Sequence, residues 1–250
     1  MQRLSPHYQS FSVFNQLKLE YAKLNQRRKI FYEADSLELL FETNELNYRE
    51  VDDVAECMYQ LHDTDPKLIF DFVVKNPCFR LLPSSETCKI ASNMIALLHC
   101  LEGAYFTWRF ANEKAKCYMV MPNKMYLNMA RIEKYFNRRN GEANKLEEQK
   151  SNLIRFFAHK FECIKNFINT QIVDLNPAYD EIVFLIGLIT FDTNIEGITE
   201  STAKTLEEMQ KLLVRDFKAM YNTTNIDPQM RLETMFSVVS GIKNSSRINR

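Results

Sequence analysis

The sequence predicts an all-α domain of about ten helices carrying one short β-hairpin. Three observations support this. Apolar residues recur at three- and four-residue intervals along most of the chain. Pro66, Pro77, Pro83 and Pro228 fall where helices should start or stop. A run that favours strand, Cys117 to Met121, is followed at once by Pro122-Asn123. A 3.6-residue period buries one helix face, proline is tolerated only in a helix's first turn, and Pro-Asn is turn chemistry.

Residues 15–32 set Leu17, Tyr21, Leu24, Arg28 and Phe31 at helical spacing with basic residues between them, which makes a basic amphipathic helix. The trio Arg27-Arg28-Lys29 is a nuclear address, a phosphate contact or, as is usual for so short a run, a solvated helix face. From Val51 to Asn76, apolar residues recur at Val54, Met58, Leu61, Leu68, Phe72 and Val73. Pro66 suits the first turn of a helix starting near Asp65, and Pro77 ends that helix. Ser84 can cap the next helix, and Glu86 sits near its positive end.

Ile90, Met94, Leu97, Leu98, Leu101, Ala104, Tyr105 and Trp108 form a face broad enough to be covered on most sides. Gly103 within it costs about 1 kcal/mol relative to Ala, which close backbone packing would explain. Arg138 to Gln149 is the most polar stretch and is expected to be a mobile loop. Helical spacing resumes from Leu153 to Val173, and Ile182 to Phe191 is too apolar for a surface helix. The break from Asp192 to Gly197 precedes a helix capped by Thr199, with Leu206, Met209, Leu213, Phe217, Met220 and Tyr221 in one stripe. Asp227-Pro228 opens the last helix, with Leu232, Met235, Phe236 and Val239 on one face. After Gly241 the chain fades into polar residues.

Composition excludes several classes of function. A chain of 250 residues suits one large core, burying roughly 70–75% of its unfolded surface. Lys plus Arg equals Asp plus Glu at 32 each, whereas nucleic-acid binders carry a basic excess. Five glycines lie too far apart to cradle a phosphate. Six cysteines contain no Cys-x-x-Cys pair and read as the reduced thiols of an intracellular protein. No secretory signal or membrane span is expected. His159 and Cys163 stand one helical turn apart beside Glu162 and could give two zinc ligands, although a lone pair is usually incidental. No hydrolase, metalloprotease or Cys/His constellation occurs, so no catalytic residue, metal ligand or enzymatic activity is expected.

Four stretches, in order along nearly the whole chain, resemble the ligand-binding domain of nuclear receptors, specifically the divergent nematode group. KLNQRRKIFY followed by CMYQLHDTDPKLIFDF is similar to that group's linker and first helices. FVVKNPCFRLLPSSE resembles the signature turn between the third and fourth helices. TWRF with MVMPNKMYL resembles the end of the fifth helix and the hairpin beside the ligand. FLIGLITFDTNIEGITESTAK, with IDPQMRL later, resembles the eighth to tenth helices.

The resemblance implies a three-layer antiparallel helical sandwich over residues 33–243. A basic linker or first helix at 1–32 precedes it, and a polar tail at 244–250 follows. It implies regulation of transcription in the nucleus, with the cytoplasm as a second location. No cofactor is expected beyond a lipophilic ligand of unknown identity. The expected partners are other receptors or a second copy, joined along the Arg231–Val239 helix. Two family parts have no counterpart here: the eight-cysteine zinc module and the terminal apolar-apolar-x-Glu-apolar-apolar helix, the chain ending in GIKNSSRINR. The expectation is therefore a fragment, a shortened form or a member without its own DNA contact.

The resemblance also marks site residues. Lys75 matches the lysine that holds a coregulator helix by its negative end, the alternative being a solvated lysine. Without a terminal helix, coregulator peptides should bind only weakly. Arg109 matches an arginine that anchors a ligand's polar group, the alternative being local pairing with Glu113. Met94, Leu98, Leu101, Tyr118 and Met121 are candidate pocket walls or plain core. Asp192 and Arg231 match a structural acid–base pair. A rival reading is a ligand-free interaction protein that fills its cavity with side chains and sequesters receptors as inactive dimers. A cavity of about 300 Å³ or more favours the ligand.

Overall fold

The computed structural model describes residues 12–33, 47–113, 117–136, 143–221 and 227–248, with backbone alone at 33, 111–113, 143–149 and 245–248. Helix α1 (Val13–Glu33) buries Leu17, Tyr21, Leu24, Arg28 and Tyr32. The expected face ended on Phe31, which is instead 61% exposed. The basic trio is not a solvated face either, because Arg28 and Lys29 are buried and Arg27 pairs with Asp71.

Strand β1 (Arg49–Glu50) lies parallel to β3 (Met125–Asn128), and β2 (Tyr118–Val120) lies antiparallel to β3 with Met119 opposite Leu127. Two residues carry too little pattern to be read as a strand, so β1 was invisible in the sequence. The expected turn closes through Lys124, at φ 56°, whose N–H bonds to the Met121 carbonyl at 2.8 Å.

Helix α2 (Val54–Tyr59) is capped by Asp53 and does not stop at Pro66. It continues through a widened π turn at Gln60–Thr64 into α3 (Asp65–Lys75). Pro66 has no N–H to donate, and its ring crowds the preceding turn. The π turn absorbs that conflict without ending the helix. After a short 3₁₀ turn at Pro77–Phe79, helix α4 (Ser84–Glu113) runs for 30 residues. Glu86 accepts the N–H of Thr199 and an ammonium hydrogen of Lys89, both at 2.8 Å, fastening the start of α4 to the loop before α7. These two bonds, against a smaller opposing effect of burial, hold the Glu86 carboxyl near 2.

The 3₁₀ segment Met129–Phe136 leads toward α5 (Ala143–Phe167), which ends in a second π turn, Ile168–Ile172. Helix α5 therefore begins inside the stretch expected to be a loop, while 138–142 lie outside the described residues. Helix α6 (Tyr179–Thr190) is buried at every position from Glu181 to Thr190, as its apolar run requires. Helix α7 (Glu200–Tyr221) is capped by Thr199, and α8 (Pro228–Ile248) passes through Gly241 where the sequence suggested fading. The described residues hold eight α-helices, α2 and α3 being counted separately although the π turn joins them.

The helices stack in three layers, with α1 and α3 outside, α4, α6 and α7 between, and α5 and α8 on the far side. Helix α4 is sandwiched as expected, whereas α3 is an outer helix that leaves Phe70 and Val74 exposed. Gly187, not Gly103, marks the tightest approach. A Cβ there would lie 2.6 Å from the Leu17 and Leu213 side chains, whereas at Gly103 the nearest atom would be the Val120 carbonyl oxygen at 3.7 Å. Apolar burial divides into a main core around α4 and α6 and a smaller one of α2, the hairpin and α5, including Cys57, Met119, Met121 and Phe157.

Candidate functional site

A cavity of about 370 Å³ lies where the two cores meet. Met58, Leu61, His62 and Pro66 form one wall, from α2, the π turn and the start of α3. Ile95, Ala96, His99, Cys100, Gly103 and Ala104 of α4 form the second. Met119 to Pro122 line the hairpin side, and Phe156, Phe157, Lys160, Cys163, Ile164 and Phe167 of α5 form the last wall; His62, Ala96 and Phe156 are exposed, so the cavity opens to solvent. No carboxylate lines it.

Of the sequence-predicted pocket residues, only Met121 borders this cavity. Met94, Leu98 and Leu101 are buried in the main core on a different face of α4. Tyr118 packs edge-on against Phe110, with ring centroids 5.4 Å apart. Arg109 is exposed in a separate cleft of about 570 Å³ between α1, α4 and α6, with the Tyr105 hydroxyl 3.3 Å from its guanidinium. Its suggested partner Glu113 has a side chain outside the described residues. Lys75 is exposed at the end of α3 and pairs with Asp71 at 2.8 Å.

Asp192 and Arg231 do not meet. Arg231 gives two hydrogen bonds to Glu181, at 2.5 and 2.7 Å, and Asp192 pairs with Lys243 at 2.8 Å. Glu181 also accepts from the Tyr221 hydroxyl and, at 2.8 Å, from the Ala178 N–H, so one carboxylate joins α6, α7 and α8. Burial would raise this carboxyl, but Arg231 and Tyr221 hold it below its ordinary range. The pairing follows from where the last helix starts, which residue spacing does not reveal.

A second feature missed in the sequence is a buried ionic cluster beside the cavity. The Arg28 guanidinium, with no exposed surface, forks onto Asp65 at 2.8 and 2.8 Å and onto Glu102 at 2.6 and 2.9 Å. The Tyr21 hydroxyl donates to Glu102 at 2.6 Å, and the Tyr32 hydroxyl donates to Asp65 at 2.9 Å. His99, on the cavity wall, reaches Asp65 through Nε2 at 2.7 Å. Burial alone would raise the Asp65 carboxyl, but Arg28 and His99 hold it well below the carboxylate range. Burial, then the neighbouring carboxylates, pushes both tyrosines up, so they act as donors. The network ties α1 to α3 and α4. Its one legible sign is Glu102, a lone acid inside an apolar helix.

Cys57 stands next to the cavity, against Met121, and Cys100 stands on its wall. Burial pushes the Cys57 thiol beside it up to about 12 and raises Cys100, leaving both as neutral thiols. The His159–Cys163 pair shows a 3.7 Å contact between ring nitrogen and sulfur. Among the described residues no group of three His, Cys, Asp or Glu side chains is placed to hold a metal.

The helices thus form a three-layer sandwich with a largely apolar cavity between α2, α4, the hairpin and α5. The chain belongs to the nuclear hormone receptor ligand-binding domain family, whose profile matches residues 36–250. Members of that family are receptors and not enzymes. The chain is also similar to the Caenorhabditis elegans nuclear hormone receptor family member nhr-53, 23% identical over 172 residues. That match covers 66% of this chain and 44% of the relative, so the chain spans less than half of that protein's length.

Proposed function

We propose that this chain is a ligand-responsive module of a nuclear transcription regulator, holding a lipophilic small molecule between α2, α4, the hairpin and α5. The observation that carries the reading is the cavity of about 370 Å³, within the range of small-molecule sites. Family membership supports action on transcription in the nucleus, through binding and association.

Two surfaces support partners. On α8, Met230 is 66% exposed and Phe236, expected on the buried face, is exposed as well, favouring dimerisation with another receptor or a second copy along that helix. At the end of α3, Lys75 adjoins exposed Val74, with Leu81 (84% exposed) in the following turn, favouring a short amphipathic coregulator helix.

The test is a thermal-shift screen of the purified chain against fatty acids and sterols, repeated on Gly103→Leu. Gly103 lies on the cavity wall, and a Cβ there would make only an ordinary 3.7 Å contact with the Val120 carbonyl oxygen, so a leucine is expected to take up cavity space. Binding should raise the melting temperature of the native chain and leave the variant unmoved. Equal shifts in both, or no shift with any lipophile, would overturn the reading.

A further inference from the structure

The buried ionic cluster shares a residue, His99, with the cavity wall. Along the first turns of α1, Leu17 and Leu24 hold the helix to the body by apolar contact, which tolerates small shifts. Toward its end the hold is ionic, through Arg28 and Tyr32. Such a fastening adds little stability over apolar packing of the same volume. It depends steeply on geometry, however, because hydrogen bonds weaken fast as distance and angle change. A small displacement that a leucine would absorb is felt by this seat.

Three links join the seat to the cavity. Asp65 precedes Pro66 and Glu102 precedes Gly103, and both neighbours line the wall. The third link is His99 itself, whose Nε2 stands 2.7 Å from Asp65 Oδ2. That oxygen also accepts from Arg28 Nη2 at 2.8 Å, while Oδ1 accepts from Arg28 Nε at 2.8 Å and from the Tyr32 hydroxyl at 2.9 Å. An ionised carboxylate only accepts, so Nε2 carries the hydrogen in the bond to Asp65. The His99 side chain keeps 20% of its surface exposed, whereas Arg28, Asp65 and Glu102 keep none. Among these four side chains, solvent reaches the cluster at His99.

Resting on the ligand reading above, we infer that occupancy of the cavity tightens the seat of α1, with His99 as the relay. Water at the wall competes for the imidazole and screens the charges behind it. A guest that displaces this water lowers the local dielectric and strengthens the His99–Asp65 and Arg28–Asp65 bonds. Leu19, Ile30 and Phe31 are exposed on α1, so the setting of the helix shows on a surface outside the cavity. The coupling is reciprocal: a change that loosens α1 at this seat weakens the guest by the same factor.

The experiment uses Nile red, a neutral fluorescent lipophile, as the guest. The proteins are the native chain, His99→Leu, Tyr32→Phe and their double variant, with Gly103→Leu to place the probe in the cavity. In the native chain, saturation should slow hydrogen exchange of the α1 amides from Asn25 to Tyr32 about fivefold or more, and more than that of the α7 amides from Leu206 to Phe217. In His99→Leu the two segments should respond alike. Tyr32 is no part of the cavity wall, yet Tyr32→Phe should weaken Nile red about threefold, and this effect should vanish when residue 99 is already leucine, as a coupled pair requires. Equal slowing of α1 and α7 in the native chain, unchanged affinity in Tyr32→Phe, or a Tyr32→Phe effect that persists in the double variant would overturn the relay and leave the cavity uncoupled from α1. If Nile red does not bind, or binds Gly103→Leu as tightly as the native chain, the ligand reading itself falls, and this inference with it.

Discussion

Replacing Arg28 with methionine should be among the most damaging single changes to this fold. Arg28 is wholly buried and gives four hydrogen bonds to Asp65 and Glu102, which are themselves wholly buried. Methionine fills similar space but leaves two buried carboxylates without their shared cation, with only Tyr21, Tyr32 and His99 as partners. Removing one partner of a buried ion pair costs about 3–5 kcal/mol, and two stranded acids place this site toward the upper part of that range. At this chain length that corresponds to roughly 6–20 °C in melting temperature, out of a total stability of about 5–15 kcal/mol. Denaturant unfolding followed by far-ultraviolet circular dichroism at pH 7 reads the loss.

The double variant Arg28→Met/Glu102→Gln should recover part of that loss, since one stranded charge is gone. The pH dependence has a definite sign. In the native chain Asp65 is held well below its ordinary value, so its contribution is fully present above about pH 4 and is lost as pH falls further. In Arg28→Met only His99 still holds that carboxyl down, so the deficit should be greatest at neutral pH and shrink toward pH 4. A loss under about 1 kcal/mol, or no recovery in the double variant, would refute the buried fork.

Three further outcomes are expected. Gly103→Ala should stabilise by about 0.5–1 kcal/mol because a Cβ fits freely, whereas Gly187→Ala should destabilise by about 1–2 kcal/mol through overpacking against Leu17 and Leu213; paired denaturant melts decide. Glu181→Ala removes the acceptor shared by Arg231, Tyr221 and Ala178 and should cost about 2–4 kcal/mol, with faster amide exchange at the start of α8. In native-state hydrogen exchange, β2, β3 and α2 should lose protection before α6, since they belong to the smaller core.

The layers were legible where burial leaves a pattern in the chain. Helices α4 and α6 announce themselves by apolar residues on most sides, and the hairpin by strand-favouring residues before Pro122-Asn123. The cavity was not legible, for a geometrical reason. The stripe Met94, Leu98, Leu101 packs into the main core, while the cavity is lined by Ile95 and His99, each one residue along from Met94 and Leu98 and so about 100° around the helix. Sequence period shows that a helix has a greasy side, but not which neighbour leaves a gap. Arg28 escaped notice because a buried arginine and a solvated one look alike until Asp65 and Glu102 arrive from 37 and 74 residues away. The partners of Asp192 and Arg231 were misassigned for the same reason.

The π turn at Gln60–Thr64 bears on more than Pro66. By inserting extra residue length into an unbroken rod, it re-aims the greasy stripe partway along, so α2 serves the hairpin side and α3 the body of the domain. The void sits at the joint between these two halves. A guest there would act as mortar, supplying contacts that neither half makes with the other, and the hairpin end could tighten onto the rest without any layer being rebuilt.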